Sequence, residues 1–89
     1  MNRQQAQLQA TRDVLRRLIK SSPYTTKYVA QQVGEEYTTL IHRLKGQRPS
    51  YQQLDTALVV NILAVLDVPI SLFFMQVEVR SEELQRTTD

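Results

Sequence analysis

Only two glycines occur in the 89 residues, Gly34 and Gly46, and the segment between them carries its apolar residues on one side of a helix. At 100° per residue, Tyr37, Leu40, Ile41 and Leu44 fall within an arc of about 100°, while Thr38, Thr39, His42, Arg43 and Lys45 occupy the rest. The pattern predicts a helix over residues 36 to 45. Glycine tolerates the left-handed backbone that commonly ends a helix, so each of the two suits a sharp stop. A chain punctuated in this way is confined to short helices joined by tight turns.

The flanking sequence extends the series. Residues 3 to 20 contain neither Pro nor Gly and repeat Leu8, Val14, Leu15, Leu18 and Ile19 at helical spacing. Ser21, Ser22 and Pro23 break that helix, and Thr25 or Thr26 caps a second one running to residue 33. Ser50 followed by Gln53 is a capping-box pattern that opens a fourth helix. From Leu54 to Leu66 most residues are apolar, which marks this helix as the expected centre of the core. Pro69 is tolerated near a helix start, so Ile70 to Met75 is expected to form a last short helix whose Phe73 and Phe74 close the bottom. In "MQVEVR", Met75, Val77 and Val79 alternate with polar residues at the period of a strand. The last nine residues, 81 to 89, contain one apolar side chain, Leu84, and are expected to be mobile or to order only on assembly. The fold class expected is all-α: a compact bundle of about five helices in residues 1–75, followed over 76–89 by a short strand or extended arm and a flexible tail.

Composition excludes several functions. The chain has no cysteine, which removes disulfides, thiolate catalysis and cysteine-ligated zinc. Its longest apolar stretch, "ALVVNILAVLDVPISLFF", is interrupted by Asn61, Asp67 and Pro69, so no membrane span is expected. No apolar stretch follows the first basic residues, so no secretory signal is expected and the cytoplasm is the expected location. His42 is the sole histidine and has no paired carboxylates nearby; neither a catalytic centre nor a metal or cofactor site is expected.

Charge is unevenly distributed. Residues 1 to 48 carry nine Lys or Arg against three acids, and residues 49 to 89 carry two against six, a net +6 followed by a net −4. A polyanion is attracted to the first half and repelled by the second, which selects a side of approach.

Two short helices joined through Gly34, between a basic first helix and an apolar fourth, describe a helix-turn-helix. Residues 14 to 74 resemble the lambda repressor and Cro family of helix-turn-helix domains. The resemblance rests on "TTKYVAQQVG" for the first motif helix and turn, "TTLIHRLKGQRPS" for the recognition helix and following loop, and "LDVPISLFF" for the closing segment. Ala30 is small where two helices cross closely, and Gly34, four residues later, supplies the positive φ of the turn. Glu35 and Arg43 stand where that family has apolar residues. Either the two charges pair across the turn, or the turn holds one extra residue and Ile41 and Leu44 take the core positions.

The resemblance implies that the starts of both motif helices face double-stranded DNA, which accounts for the repeated Tyr-Thr-Thr at residues 24 to 26 and 37 to 39. Thr25 and Thr26, at a positive dipole end, would hold a phosphate oxygen, with Lys27 adding charge. Residues 36 to 39 form the tip offered to bases. Thr38 and Thr39 can hydrogen-bond bases or touch a thymine methyl, Glu36 can accept from cytosine N4, and Tyr37 packs its ring while its hydroxyl reaches out. His42 lies on the same face as Thr38 and Lys45. Arg43, Lys45, Gln47 and Arg48 would flank the backbone, and Arg3, Arg12, Arg16, Arg17 and Lys20 would add phosphate contacts from the first helix.

The function expected from this resemblance is a sequence-specific transcriptional regulator, a repressor of phage or plasmid type that binds an inverted repeat as a homodimer. The extra length of the fourth helix and the Met75–Arg80 strand are the expected dimer surfaces. The alternative is an antitoxin-like interaction protein whose residues 76–89 bind a protein partner.

Overall fold

A computed structural model describes residues 2–46 and 54–87. They form an all-α bundle: α1 (Arg3–Ser21), α2 (Thr26–Val33), α3 (Tyr37–Lys45), α4 (Thr56–Leu66) and α5 (Ile70–Thr87). Several of the helix ends have a local chemical reason. Asn2 and Gln5 form a reciprocal capping box at the start of α1, with Gln5 N donating to Asn2 Oδ1 at 2.8 Å and Asn2 N to Gln5 Oε1 at 3.1 Å. At its other end the Ser22 hydroxyl donates to Ile19 O at 2.7 Å, and Pro23 follows.

The ends of α2 and α4 share one design. Gly34 has φ 76° and Asp67 φ 57°, both left-handed. Glu35 N donates to Ala30 O at 2.9 Å, Gly34 N to Gln31 O at 3.3 Å, Val68 N to Leu63 O at 3.0 Å and Asp67 N to Ala64 O at 3.2 Å. These crossed bonds satisfy carbonyls that the last helical turn leaves without partners. Asp67 does with a short polar side chain what Gly34 does with none.

The core is organised around α1, which packs against α2, α3 and, most extensively, α5. Ala6, Ala10, Val14 and Leu15 are fully buried along it. Small residues at 6 and 10 let a neighbouring helix approach closely. This corrects the expectation that the fourth helix is central: α4 buries Leu58, Ile62 and Leu63 but leaves Val60 and Ala64 exposed, and packs chiefly on α2. Its continuous apolar run reports composition rather than all-round burial. The Ser50–Gln53 capping box lies outside the described residues, and the described helix is capped by Asp55, whose Oδ1 accepts from Ala57 N at 2.9 Å.

The C-terminal expectations are also corrected. Residues 75 to 80 are not a strand, and 81 to 87 are not a loose tail: both continue α5. Phe73, Val77 and Ser81 are buried, and Leu84 packs against the same core; the spacing i, i+4, i+8, i+11 is one face of a helix. The alternation of Met75, Val77 and Val79 was misleading because these residues divide between two faces, Val77 inward and Met75 and Val79 outward. A lone strand would also leave its backbone groups without a ladder, whereas a helix satisfies them internally. Of the two expected plugs only Phe73 serves, at 1% exposure against 60% for Phe74. The chain turns by 114° between α4 and α5, and among the described residues no single helix is long and apolar enough to cross a membrane.

Candidate functional site

The segment from Tyr24 to Lys45 brings most of the sequence-selected polar residues onto two short helices. Thr25 caps α2 with its side chain, accepting from Tyr28 N at 3.1 Å. Thr26 is half-buried, while Thr25 and Lys27 are exposed. Backbone N–H groups in this first turn have no carbonyl four residues earlier in the helix and carry the positive end of its dipole. Tyr24 and Tyr28 stack beside the cap, ring centroids 4.9 Å apart and 18° from parallel. Sequence reasoning had passed over these two rings, although their i, i+4 spacing across a capping threonine was visible.

Between the helices, Gly34, Glu35 and Glu36 form the whole turn. A glycine is required at 34 for its φ, yet a Cβ there would meet nothing within 4 Å, so the demand is conformational and not one of space. Glu35 Oε1 lies 3.7 Å from Arg43 Nε, so the two charges that depart from the family pattern pair across the turn. The buried residues of α3 are Leu40 and Leu44, with Ile41 half-buried, and the first of the two registers considered is the one observed.

The start of α3 is fully presented. Glu36, Tyr37 and Thr38 are exposed and Thr39 is half-buried. The Tyr37 ring, expected to pack, is 44% exposed; the buried residues of α3 are Leu40 and Leu44, one and two turns later. Glu36 occupies the cap position without a side-chain cap bond and instead accepts from the Thr38 hydroxyl at 3.0 Å. The tip therefore displays a carboxylate, a hydroxyl already engaged by it, and a phenol. His42 and Arg43 are half-buried further along, and Lys45 is exposed. Gln47 and Arg48 lie outside the described residues. No three His, Asp or Glu side chains among the described residues converge as a metal-binding group.

The end of α3 is held from below by Arg12, which was expected to be a surface cation and is 6% exposed. Its guanidinium sits under Gly46: a Cβ added there would lie 2.5 Å from Nε and 2.6 Å from Cζ. Gly46 thus suits φ 63°, and a side chain there would also require the Arg12 guanidinium to shift. Arg12 donates to Gln9 Oε1 at 3.0 Å, and burial holds its pKa below that of free arginine. The signal was present in the sequence, since Arg12 stands four residues after Leu8 and three before Leu15, inside the apolar stripe. A cation at the C-terminal end of α3 also complements that helix dipole. The remaining basic residues of α1 named from sequence, Arg3, Arg16, Arg17 and Lys20, are exposed.

No protein-family model, curated protein or solved structure matches this chain.

Proposed function

We propose that α2, the Gly34–Glu36 turn and α3 form a helix-turn-helix of the lambda repressor and Cro type, and that the protein is a transcriptional regulator binding double-stranded DNA. The observation that carries this reading is the exposure of Thr25 and Lys27 at one helix start and of Glu36 to Thr38 at the other, on a unit whose geometry is fixed by Gly34 and by Leu40 and Leu44 beneath α3. The start of α2 holds a phosphate through its N–H groups and Lys27, and the start of α3 enters the major groove. Thr38, Thr39 and His42 read base edges, with Glu36 tuning the hydroxyl of Thr38. Arg43 and Lys45 add charge beside the backbone.

One recognition helix reads few base pairs, and two copies related by a two-fold axis double the site. The dimer surface that best suits this reading is the outer face of α5. Leu72, Met75 and Val79 recur there at i, i+3, i+7 and are all exposed, Met75 at 57% and Val79 at 55%. Two such stripes laid antiparallel about Met75 bring each Leu72 beside the Val79 of the other copy, a self-complementary arrangement.

The same exposed stripe, with Phe74 beside it, is the observation that favours a second reading, an antitoxin-like module whose α5 binds a different protein.

The DNA reading is tested by adding a mixed-sequence duplex at low salt and following backbone amide shifts. Perturbations gathered at residues 25–27 and 36–42 are expected. Shifts confined to α5, or none, would remove DNA as the partner of this face.

A further inference from the structure

A groove of about 380 Å³ opens beside the α2 start, between the C-terminal half of α1 and α3. Its floor and wall are hydrocarbon and aromatic: Ile19, Ile41, Leu44 and Tyr24. Its exposed rim is cationic, Arg16, Lys20 and Lys45, and Thr25 and Thr26 complete the lining. Among the described residues no carboxylate lines it. Arg16 is engaged by Asp13, but among the described residues Lys20 and Lys45 make no ion pair. The volume lies in the range of small-molecule sites, which combine an apolar lining with a few convergent polar groups.

These features specify an occupant. A phosphodiester would meet the rim but leave the floor against water, whereas a neutral hydrocarbon would cover the floor and leave the cations unanswered. A molecule with an alkyl or aryl body and an anionic head answers both. We propose that this groove binds a small amphipathic organic anion, its body on Ile19, Ile41 and Leu44 and its carboxylate among Lys20, Lys45, Thr25 and Thr26. Thr25, Thr26 and Lys45 are also assigned above to phosphate contact, so such a ligand competes with DNA; this consequence rests on the DNA reading, and the site itself does not.

The probe is octanoate below its micellar range, compared with octanol and octylammonium, followed by amide shifts of the intact protein. Octanoate is expected to shift residues 19–26 and 41–45 and to bind about tenfold more tightly than octanol, with octylammonium weakest. The double variant Lys20→Gln, Lys45→Gln, both at exposed positions, should erase the preference for octanoate over octanol while retaining the native amide spectrum. Shifts centred on Phe74, Met75 and Val79, equal binding of octanoate and octanol, or a preference unchanged in the double variant would overturn the site. In a protein shown to bind DNA, an affinity for DNA that does not fall at saturating octanoate would overturn the competition. If no DNA binds at all, the helix-turn-helix reading fails and the groove is judged on the octanoate shifts alone.

Discussion

Arg80 on α5 donates from Nε to the Asp13 carboxylate on α1 at 3.1 Å, joining positions 67 residues apart in the chain. The same carboxylate accepts from Gln9 Nε2 at 2.9 Å and from Arg16, while Arg80 also reaches Glu83 at 3.0 Å. This polar seam lies beside the Phe73, Val77 and Ser81 stripe and fixes the register of α5 on α1. It adds a polar tie to the packing of Phe73, Val77, Ser81 and Leu84 that makes residues 76 to 87 part of the bundle.

A double-mutant cycle on Asp13→Asn and Arg80→Met measures that seam. Arg80 is about one-third exposed, so screening keeps the coupling modest, about 1 kcal/mol in urea unfolding. The hydrogen bonds to Glu83, then to Asp13, raise the pKa of Arg80 above that of free arginine. A raised folded-state value means that its contribution is fully present below the unfolded value and lost only as pH rises through the folded one, which for arginine is beyond any working range. The Arg80 contribution should therefore stay constant from neutral pH to pH 10; a coupling that vanished over that interval would contradict it.

The two glycines should differ in their tolerance of a methyl group. Gly34→Ala meets only backbone strain at φ 76°, about 1 kcal/mol. Gly46→Ala meets comparable strain and also strikes the Arg12 guanidinium, so it should cost roughly 1–2 kcal/mol more. Adding Arg12→Ala to Gly46→Ala should cost less than the sum of the two single changes. Additive unfolding energies would show that Arg12 is not what Gly46 accommodates.

Asp67 offers the opposite change. It holds φ 57° at the end of α4, a conformation that disfavours any side chain. Asp67→Gly should raise the thermal midpoint, by up to about 1 kcal/mol of stability, and Asp67→Val should lower it.

The outer face of α5 separates assembly from folding. Met75→Ser with Val79→Ser should leave the helical signal intact but remove the concentration dependence of the melting temperature and the sedimenting dimer that the proposed function predicts for the parent. A sedimentation profile identical to that of the parent would exclude this face as the dimer surface and favour the protein-partner reading.

Along the proposed helix-turn-helix, contacts of different kinds should respond differently. Thr38→Ala and His42→Ala should change which duplexes are preferred. Lys27→Gln should weaken all duplexes alike and reduce the dependence of log affinity on log salt by about one unit. Uniform losses from all three would contradict the division between base and phosphate contacts.

Much of the fold was legible because its punctuation is local. Gly34, Gly46 and Pro69 through their backbones, and Ser22 and Thr25 through their hydroxyls, mark helix ends, and the boundaries they predict agree with the structure within a residue or two. What was not legible depended on which partner an element finds. The alternation Met75–Val77–Val79 fits a strand taken by itself, and the packing of α5 along α1 selects the helix. The apolar run of α4 likewise suggested a central helix, whereas centrality belongs to α1, whose small residues give less signal to hydropathy. In the candidate site, the start of α2 followed from a capping rule and the presentation of both helix starts from the family resemblance, but the burial of Arg12, the Tyr24–Tyr28 stack and the tie between Thr38 and Glu36 are tertiary or side-chain geometry. The Glu35–Arg43 pair was foreseeable only as one of two registers, because pairing depends on how closely the turn draws α3 to α2.

The most direct test of the proposed function is selection of bound duplexes from a random pool, carried out at two salt concentrations. The account predicts enrichment of an inverted repeat with half-sites about one helical turn apart, roughly 34 Å, and an affinity that falls steeply as salt rises. Absence of any enriched sequence at the lower salt concentration would contradict it and leave the outer face of α5, with a protein partner, as the place to look for function.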